Sequence, residues 1–444
     1  MTHELILPEA MQASLRSQLL DDPRLERLAV VFAGRRRADR SWRFLGRDVW
    51  VAGPADYRIQ EAFHLEMEPT FWARAAKRAR VSGESIVVVH SHPHDPDPPD
   101  FSPSDDWGEG QLMPKLRARA EVPHATVVIS PGGMRARLHD GRTQPLRVRA
   151  PWQMGEATPG ADSRYERQVL ALGPLGHARL RSLSVAVVGL GGTGSHVAQQ
   201  LLHLGVGRLL AVDPDHVEES NLSRLVGGNR RDAKRVASKT DLVVRQARGL
   251  GGPTKVTAMR ASVVDDAVAR KVAAVDVVFG CTDTQRSRLV LNSIAHQHYV
   301  PVIDLGVELR ATGGVGGRVT VLGPGEGCLW CLGILAETRV RAEQLGPEER
   351  RAQYGAGYVP DVDVPEPAVV SINGVVASLA VTEFLDRVTG FRGVGDPPGM
   401  LLYRLLDGTV RRASVQGRSC PACAGVTRGA GELAALPTAR GACA

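Results

Sequence analysis

The fold of this chain is decided by residues 185–195, Val185-Ala-Val-Val-Gly-Leu-Gly-Gly-Thr-Gly-Ser195. An apolar, β-branched run breaks into glycines and resumes as a helical pattern, which predicts the strand, turn and helix start of a nucleotide-binding βαβ unit. Glycines allow backbone N–H groups to approach a phosphate, and the start of the helix adds unpaired N–H groups and the positive end of its dipole. The turn therefore predicts an anion site at Gly189, Gly191, Gly192 and Gly194.

Two further predicted strands place acidic residues near this turn. The strand 208–212 is followed by Asp213, at the spacing where an acid meets a ribose hydroxyl. The strand 275–279 is followed by Asp283, at the carboxyl edge of the sheet where Mg²⁺ bound to phosphates would lie. Up to this point, the pattern also fits an NAD-dependent dehydrogenase.

Cations beyond the second strand favour a triphosphate as the ligand. Arg224 and Lys239 follow Asp215 and Asn221, and their charges could balance those of the phosphates. A dehydrogenase does not need cations at this place. For Lys239 the alternative interpretation is a solvated position on a helix.

These features occur in the same order as in a known family. They are Arg164–Gln168, the glycine turn, Asp213, Asp215, Ser220–Arg224, Lys239, Cys281–Asp283, Arg288, Asn292 and two C-x-x-C pairs. Residues 163–425 thereby resemble the ThiF/MoeB/HesA adenylyltransferases, bacterial relatives of ubiquitin-activating enzymes. The resemblance implies a homodimer that binds ATP and Mg²⁺ and adenylates the C-terminal glycine of a ubiquitin-like protein.

The resemblance also assigns roles to single residues. It implies catalytic roles for Arg224 and Asp283, and it implies that Arg167 reaches the ATP of the partner subunit. Lys239 lies farther from Arg224 than in the family pattern, so Lys234 remains an alternative for the lysine at the phosphates.

Four of the six cysteines form two C-x-x-C pairs separated by a long loop. This spacing predicts one tetrahedral zinc site, and because four thiolates leave no open position, the zinc would be structural. Disulfides are the alternative, and they are not expected in a reduced compartment. The four ligands would be Cys328, Cys331, Cys420 and Cys423.

A second metal-ligand pattern lies nearer the N terminus. The apolar strand 86–89 leads into His90 and His92, which strand alternation places on one face, and Asp105 follows after a loop rich in Pro and Asp. Two imidazoles and one carboxylate leave a fourth position on zinc for water, which is the layout of a catalytic site. The alternative is a pair of strand histidines bonded to their neighbours.

The order H-x-H, a loop and S-x-x-D resembles the JAB/MPN (JAMM) metallopeptidases, which cleave at the C-terminal glycine of ubiquitin-like proteins. The resemblance implies that these three residues bind zinc, that Ser102 stabilises the oxyanion and that an upstream Glu is the general base. Glu26 is favoured because the family places its Glu just ahead of such an apolar strand, and Glu4 is the alternative. The long loop before Ser102 leaves Asp106 as an alternative ligand to Asp105.

With 444 residues and 43% hydrophobic content, the chain can form about two or three domains with their own cores. Its fold class is predicted to be α/β. We expect a helix over residues 1 to about 24 and a solvated turn at 35–37. We interpret the charged segment 334–363 as either a crossover segment or a solvated helix. The predicted parts are a JAB/MPN-like α/β domain (1–149), a linker (150–162), a Rossmann-like doubly wound adenylyltransferase domain (163–425) and a disordered tail (426–444).

No segment has the pattern of a signal peptide or of a membrane span, which predicts a cytoplasmic protein without membrane association. The net charge is +7, but the arginines are scattered and have few aromatic neighbours. Nucleic acid is therefore not the expected partner.

Together the predictions describe an enzyme that adenylates a ubiquitin-like protein ending in Gly-Gly and cleaves at such a C terminus with zinc. The adenylated ubiquitin-like protein would then be used either for sulfur transfer or, with a conjugating enzyme, for conjugation to other proteins. Because Cys281 ends a strand and Cys443 lies near the C terminus, activation is expected to stop at the adenylate without a thioester. The alternatives are a non-cleaving JAB scaffold on an activating enzyme and a RadC-like nucleic-acid-associated protein.

Overall fold

A computed structural model describes residues 3–38, 41–153, 157–160, 162–309, 315–356, 367–393, 399–413 and 420–438. The described chain divides into two compact units. The first comprises the chain up to Pro151 together with Gln297–Tyr299 and Val426–Ala435, and the second comprises the remainder. No helix among the described residues is both long and apolar enough to span a bilayer.

The first unit contains a closed barrel with the strand order β1-β3-β2-β6-β7-β8-β9. Two short strands, β4 and β5, form a separate hairpin. The strands are β1 (His3–Ile6), β2 (Leu28–Ala38), β3 (Ser41–Val51), β4 (Tyr57–Gln60), β5 (Leu65–Met67), β6 (Ser85–Ser91), β7 (His124–Ser130), β8 (Gly133–His139) and β9 (Thr143–Arg149). The helices are α1 (Glu9–Leu19), α2 (Pro69–Ser82) and α3 (Pro103–Ala120).

Strand β2 is buried on both faces, which explains its continuous apolar sequence. Ala29 and Val31 belong to one buried cluster with α1, whereas Val30 and Phe32 belong to another with α2 and α3. Because alternate residues of a strand point to opposite faces, neighbouring residues enter different cores.

One local prediction for this unit is confirmed in part and another is wrong. The predicted N-terminal helix is α1, which buries Leu15 and Leu19, but residues 3–6 ahead of it form β1, which pairs in parallel with β3 and β9. The predicted solvated turn at 35–37 lies within β2, where Arg36 is only 3% exposed and pairs with Arg43 of β3. Both errors arise because pairing with distant strands outweighs local polarity.

The expectation of a disordered tail is also wrong for residues 426–438. Ala430 is buried, and Gly431 N–H donates to the carbonyl of Gln297 at 2.9 Å. The N–H of Glu432 donates to the carbonyl of Arg35 at 2.9 Å, so this segment pairs with the backbone of β2. Residues 439–444 lie outside the described residues.

The second unit contains an eight-stranded sheet with the order β12-β11-β10-β13-β14-β15-β16-β17. Pairing is parallel from β12 to β14 and antiparallel from β14 to β17. The strands are β10 (Ser184–Val188), β11 (Arg208–Val212), β12 (Lys255–Met259), β13 (Val277–Gly280), β14 (Val302–Leu309), β15 (Val315–Leu322), β16 (Met400–Arg404) and β17 (Thr409–Ala413).

Helices cover both faces of this sheet. The helices of this unit are α4 (Glu166–Ser182), α5 (Gly192–Leu204), α6 (Arg230–Lys234), α7 (Lys239–Leu250), α8 (Asp266–Val272), α9 (Gln285–Gln297), α10 (Glu337–Gln344), α11 (Pro347–Gly355), α12 (Val370–Thr389) and α13 (Pro421–Ala424). Val185 and Val187 enter one core, and Ala186 and Val188 enter the other. This confirms the predicted doubly wound α/β fold of the second unit.

The strand order reverses at β10, between β11 and β13. In open α/β sheets, ligands bind beyond the carboxyl ends of the strands at such a switch point. The charged segment forms α10 and α11, and its last residues, from 357, lie outside the described residues.

Candidate functional site

The glycine turn lies at this switch point, between β10 and α5. Gly189 has φ +86°, and a Cβ built there would lie 2.5 Å from the carbonyl oxygen of Cys281. A Cβ on Gly194 would lie 1.8 Å from the carbonyl oxygen of Gly189. A side chain at either position would displace backbone, so the turn keeps its shape only with glycine.

Asp213 braces the glycine turn. Its carboxylate is 4% exposed and accepts hydrogen bonds from Leu190 N at 2.6 Å and from Asp215 N at 2.8 Å. Burial raises the pKa of Asp213. Asp213 therefore fixes the backbone after β10 and after β11. The sequence analysis predicted only a contact with a ribose hydroxyl.

Lys239 pairs with Asp215 at the same edge of the sheet. Its Nζ lies 2.7 Å from Asp215 Oδ2, and its side chain is only 11% exposed. The N–H of Lys239 donates to the carbonyl of Asp215. Lys234 is exposed on α6. This geometry favours Lys239 over Lys234 as the lysine near the glycine turn.

Arg224 belongs to a loop that is bonded to α5. Ser195 Oγ accepts a hydrogen bond from Val226 N at 3.1 Å and donates to the carbonyl of Gly192 at 3.3 Å. The Arg224 side chain donates to the carbonyl of Ser220 at 2.9 Å, and a Cβ on Gly192 would lie 3.5 Å from its Cδ. Arg224 therefore lies beside the first turn of α5.

The remaining predicted nucleotide residues occupy more exposed positions. Asn221 lies in the same loop as Arg224 and accepts a hydrogen bond from Glu218 N at 3.3 Å. Asp283 lies exposed between β13 and α9, at the carboxyl edge of the sheet, and Arg167 is exposed on α4.

A buried acidic residue was missed by the sequence analysis. Asp304 in β14 is fully buried, and its carboxylate lies 2.7 Å from Arg318 Nη1 and 3.7 Å from Arg288 Nε. A Cβ on Gly280 would lie 3.4 Å from its Oδ1, so Asp304 is packed against the end of β13. The available signal was an aspartate inside the apolar run 302–305.

The four predicted cysteine ligands converge in the second unit. Their sulfur atoms lie within 4.8 Å of one another, and three pairs are separated by 3.6–3.7 Å. Sulfurs in a disulfide are about 2 Å apart, whereas Zn–S bonds of about 2.3 Å place tetrahedral thiolates nearly 4 Å apart. The donor set and its spacing therefore fit structural zinc. Asn292 supports the cluster by donating to Cys328 Sγ at 3.6 Å.

The three predicted ligands in the first unit also converge. His90 Nε2 lies 2.9 Å from Asp105 Oδ1, and His92 Nε2 lies 3.4 Å from Asp105 Oδ2. Ser102 Oγ donates to Asp105 Oδ2 at 2.8 Å and caps α3. Asp106 instead pairs with Arg137 at the surface. Two imidazoles and one carboxylate, all within 4.8 Å, fit a zinc ion that keeps an open position.

Glu26 lies next to these ligands. Strand β2 pairs with β6, and Leu28 is opposite His90. The hairpin holds Glu26 in place, since Glu26 N donates to the carbonyl of Glu61 and Gln60 Nε2 donates to the carbonyl of Glu26. Burial raises the pKa of Glu26, and the neighbouring imidazoles of His90 and His92 act in the opposite direction.

The alternative base, Glu4, has different partners. It forms ion pairs with Arg43 at 2.8 Å and with Arg149 at 2.9 Å. Arg149, Arg43 and Arg147 are also the charged groups that lower the pKa of Glu4 against the effect of its burial. A carboxylate held by arginines is a poor proton acceptor, so the geometry favours Glu26.

The glycine turn at a switch point, together with Lys239, Arg224 and Asp283 around it, defines the second unit as a nucleotide-binding α/β unit. Residues 165–424 match the model of the ThiF family. The chain belongs to this family. The family match begins at residue 165 and so does not include residues 1–151 of the first unit.

Several known proteins are similar to this chain. The sulfur carrier protein ThiS adenylyltransferase of Escherichia coli is 28% identical over 274 residues, covering 59% of this chain and 95% of that protein. The SAMP-activating enzyme E1 of Haloferax volcanii is 34% identical over 171 residues, covering 38% of this chain and 61% of that protein. Among solved structures, E. coli MccB with ATP is 18% identical with a TM-score of 0.46, covering 59% of this chain and 75% of that one.

Proposed function

We propose that the second unit is an ATP-dependent adenylyltransferase that activates the C-terminal carboxylate of a ubiquitin-like or sulfur carrier protein. The supporting observation is the convergence of the glycine turn, the Lys239–Asp215 pair and Arg224 at the switch point. Family membership and relatives named for the adenylation or activation of small proteins support the same reaction.

The reaction follows from the charges at the site. A carboxylate attacks the α-phosphorus of ATP, the bond to the β-phosphate oxygen breaks, and pyrophosphate leaves with its electron pair. Arg224 and Lys239 stabilise the negative charge that develops on the phosphates. Asp283 would hold Mg²⁺, which neutralises phosphate charge when bound. The product is an acyl-adenylate.

The test is ATP–pyrophosphate exchange with a ubiquitin-like partner that ends in Gly-Gly. Arg224→Ala and Asp283→Ala should each reduce exchange by at least about tenfold, the effect of losing one charged contact. A matched control is Arg286→Ala, three residues after Asp283. Exchange that is undiminished in both site variants would refute the site.

We propose a homodimer in which Arg167 serves the partner subunit's nucleotide, as the family resemblance implies. Exposure of Arg167 on α4 supports this role, and Leu170 on the same helix is 87% exposed. A polar substitution, Leu170→Glu, should shift the protein from dimer to monomer in analytical ultracentrifugation. A dimer that is unchanged in this variant would place the interface elsewhere.

We propose that activation stops at the adenylate and forms no enzyme thioester. Burial raises the pKa of the Cys281 thiol far above neutrality, so it is a poor nucleophile. The four clustered cysteines are assigned to zinc, and Cys443 lies outside the described residues.

A second candidate function belongs to the first unit. We propose that it is a JAB-type zinc peptidase that cleaves at the C terminus of a ubiquitin-like protein, either a precursor or a conjugate. The supporting observation is the cluster of His90, His92 and Asp105 beside the buried Glu26. Zinc would supply a Lewis acid and lower the pKa of a bound water.

The chain's own groups have distinct tasks in this reaction. Glu26 would accept the proton of the attacking water and pass it to the leaving amine. The Ser102 hydroxyl would donate to the developing oxyanion. The test is cleavage of a Gly-Gly-extended fusion protein together with zinc content. Zinc binding without cleavage would favour the non-cleaving scaffold, and salt-dependent DNA binding would favour the RadC-like alternative.

A further inference from the structure

Asn373 is a polar side chain buried beside the glycine turn. It lies in the first turn of α12 and is 3% exposed. A Cβ built on Gly192 would lie 2.2 Å from its Nδ2. The same Cβ would lie 3.5 Å from Arg224 Cδ. The amide therefore occupies the space that a side chain at position 192 would fill, next to the Arg224 side chain.

The side-chain amide of Asn373 has no hydrogen-bond partner within the described part of the chain, although its backbone N–H donates to the carbonyl of Val369. A primary amide carries two N–H donors and one acceptor. Asn373 is 3% exposed as a residue and its Nδ2 faces the glycine turn, so its amide donors are open to a molecule bound at that turn.

The surroundings of Asn373 favour an anionic partner. The N-terminal parts of α12 and α5 pack together, since a Cβ on Gly192 would lie 2.2 Å from Asn373 Nδ2 and a Cβ on Gly374 would lie 3.3 Å from His196 Cε1. The first turn of each helix carries unpaired N–H groups and the positive end of a helix dipole. The neighbouring Arg224 adds a full positive charge. The acceptors that fit this environment are phosphate oxygens.

We propose that Asn373 donates an N–H to the phosphate chain of bound ATP. The first turn of α12 then lines the nucleotide site together with the glycine turn. This proposal rests on the proposed adenylyltransferase function. The amide is neutral, so it orients the phosphates without changing their charge balance. It acts on nucleotide phosphates and not on the adenosine moiety.

The test compares ATP and adenosine binding to the full chain by isothermal titration calorimetry. Asn373→Asp keeps the shape of the side chain but replaces a donor with a negative charge, so the Kd for ATP should rise about tenfold or more. The Kd for adenosine should stay within about twofold, because adenosine has no phosphate. Asn373→Ser, which keeps a hydroxyl donor, should give an intermediate Kd for ATP and serves as the second variant if the first does not fold.

A matched control is Ser371→Asp, which places the same charge on the exposed side of the same turn. It should leave the Kd for ATP nearly unchanged. An unchanged Kd for ATP in both Asn373 variants, or an equal loss of ATP and adenosine binding, would overturn the proposal. Wild-type protein that binds no ATP would instead refute the adenylyltransferase function itself.

Discussion

Replacing Lys239 with alanine should weaken ATP binding strongly while leaving the fold intact. Lys239 Nζ lies 2.7 Å from Asp215 Oδ2, and the lysine side chain is 11% exposed, whereas that of Asp215 is 63% exposed. A hydrogen bond between charged groups is worth about 1.5–3 kcal/mol, which corresponds to a loss of about ten- to 150-fold in affinity. Loss of the Lys239–Asp215 ion pair should lower the free energy of unfolding by about 1 kcal/mol at most, because the Asp215 side chain is exposed.

The carboxylate that remains at Asp215 makes the expected loss larger. Without Lys239, this negative charge faces the triphosphate uncompensated. Adding Asp215→Asn to Lys239→Ala should therefore recover part of the lost affinity. Recovery of ATP affinity in the double variant would show that the loss in Lys239→Ala is an effect of charge. If Lys239→Ala instead disturbed the first turn of α7, Asp215→Asn would not restore the affinity.

The assay is the Kd for ATP together with the KM for ATP in pyrophosphate exchange. Lys234→Ala is the matched control, because Lys234 is an exposed lysine five residues earlier in the chain. It should keep the ATP affinity within about twofold. A large loss in Lys234→Ala with normal affinity in Lys239→Ala would show that the phosphate lysine has been assigned to the wrong residue.

Four further substitutions test the other sites. Glu26→Gln should retain zinc but lose about a hundredfold in cleavage of a Gly-Gly-extended fusion; a wild-type rate would exclude Glu26 as the base. His92→Ala should lose the catalytic zinc, measured by metal analysis, and retention of that zinc would contradict the ligand set. Cys420→Ser should lower bound zinc by about one equivalent and the melting temperature by about 5 °C or more; unchanged zinc would refute the four-cysteine site. Cys281→Ser should leave adenylation unchanged, and loss of a reducible covalent complex with the partner would reveal a thioester.

The doubly wound unit could be predicted because its signals are local. The run 185–195 combines a buried strand, a glycine turn and a helix start, and each constrains the chain at that place. The C-x-x-C pairs and the H-x-H pattern are likewise readable from spacing, since metal ligands must be of particular types. The convergence of Cys328 with Cys420 was inferred from chemistry and is observed as a sulfur separation of 3.7 Å.

The missed features depend on contacts between distant parts of the chain. The arginines at 35–37 look solvated, but a strand partner in β3 and the late segment around Glu432 hold them in β2. Asp304 is hidden within an apolar strand, and its partners Arg288 and Arg318 belong to other elements. Asn373 lies in an apolar helix, where nothing in the local pattern reveals that the glycine turn is its neighbour.

The late segment that pairs with β2 also has a consequence for the order of synthesis. Because the first unit includes residues 297–299 and 426–435, a ribosome completes it only after most of the second unit has been made. Until then, the carbonyl of Arg35 lacks the N–H of Glu432, and Gly34 lacks the close backbone of Gly429. The unit that begins first along the chain is therefore completed only near the end of synthesis, and residues 1–151 expressed alone would leave that side of β2 open to other strands.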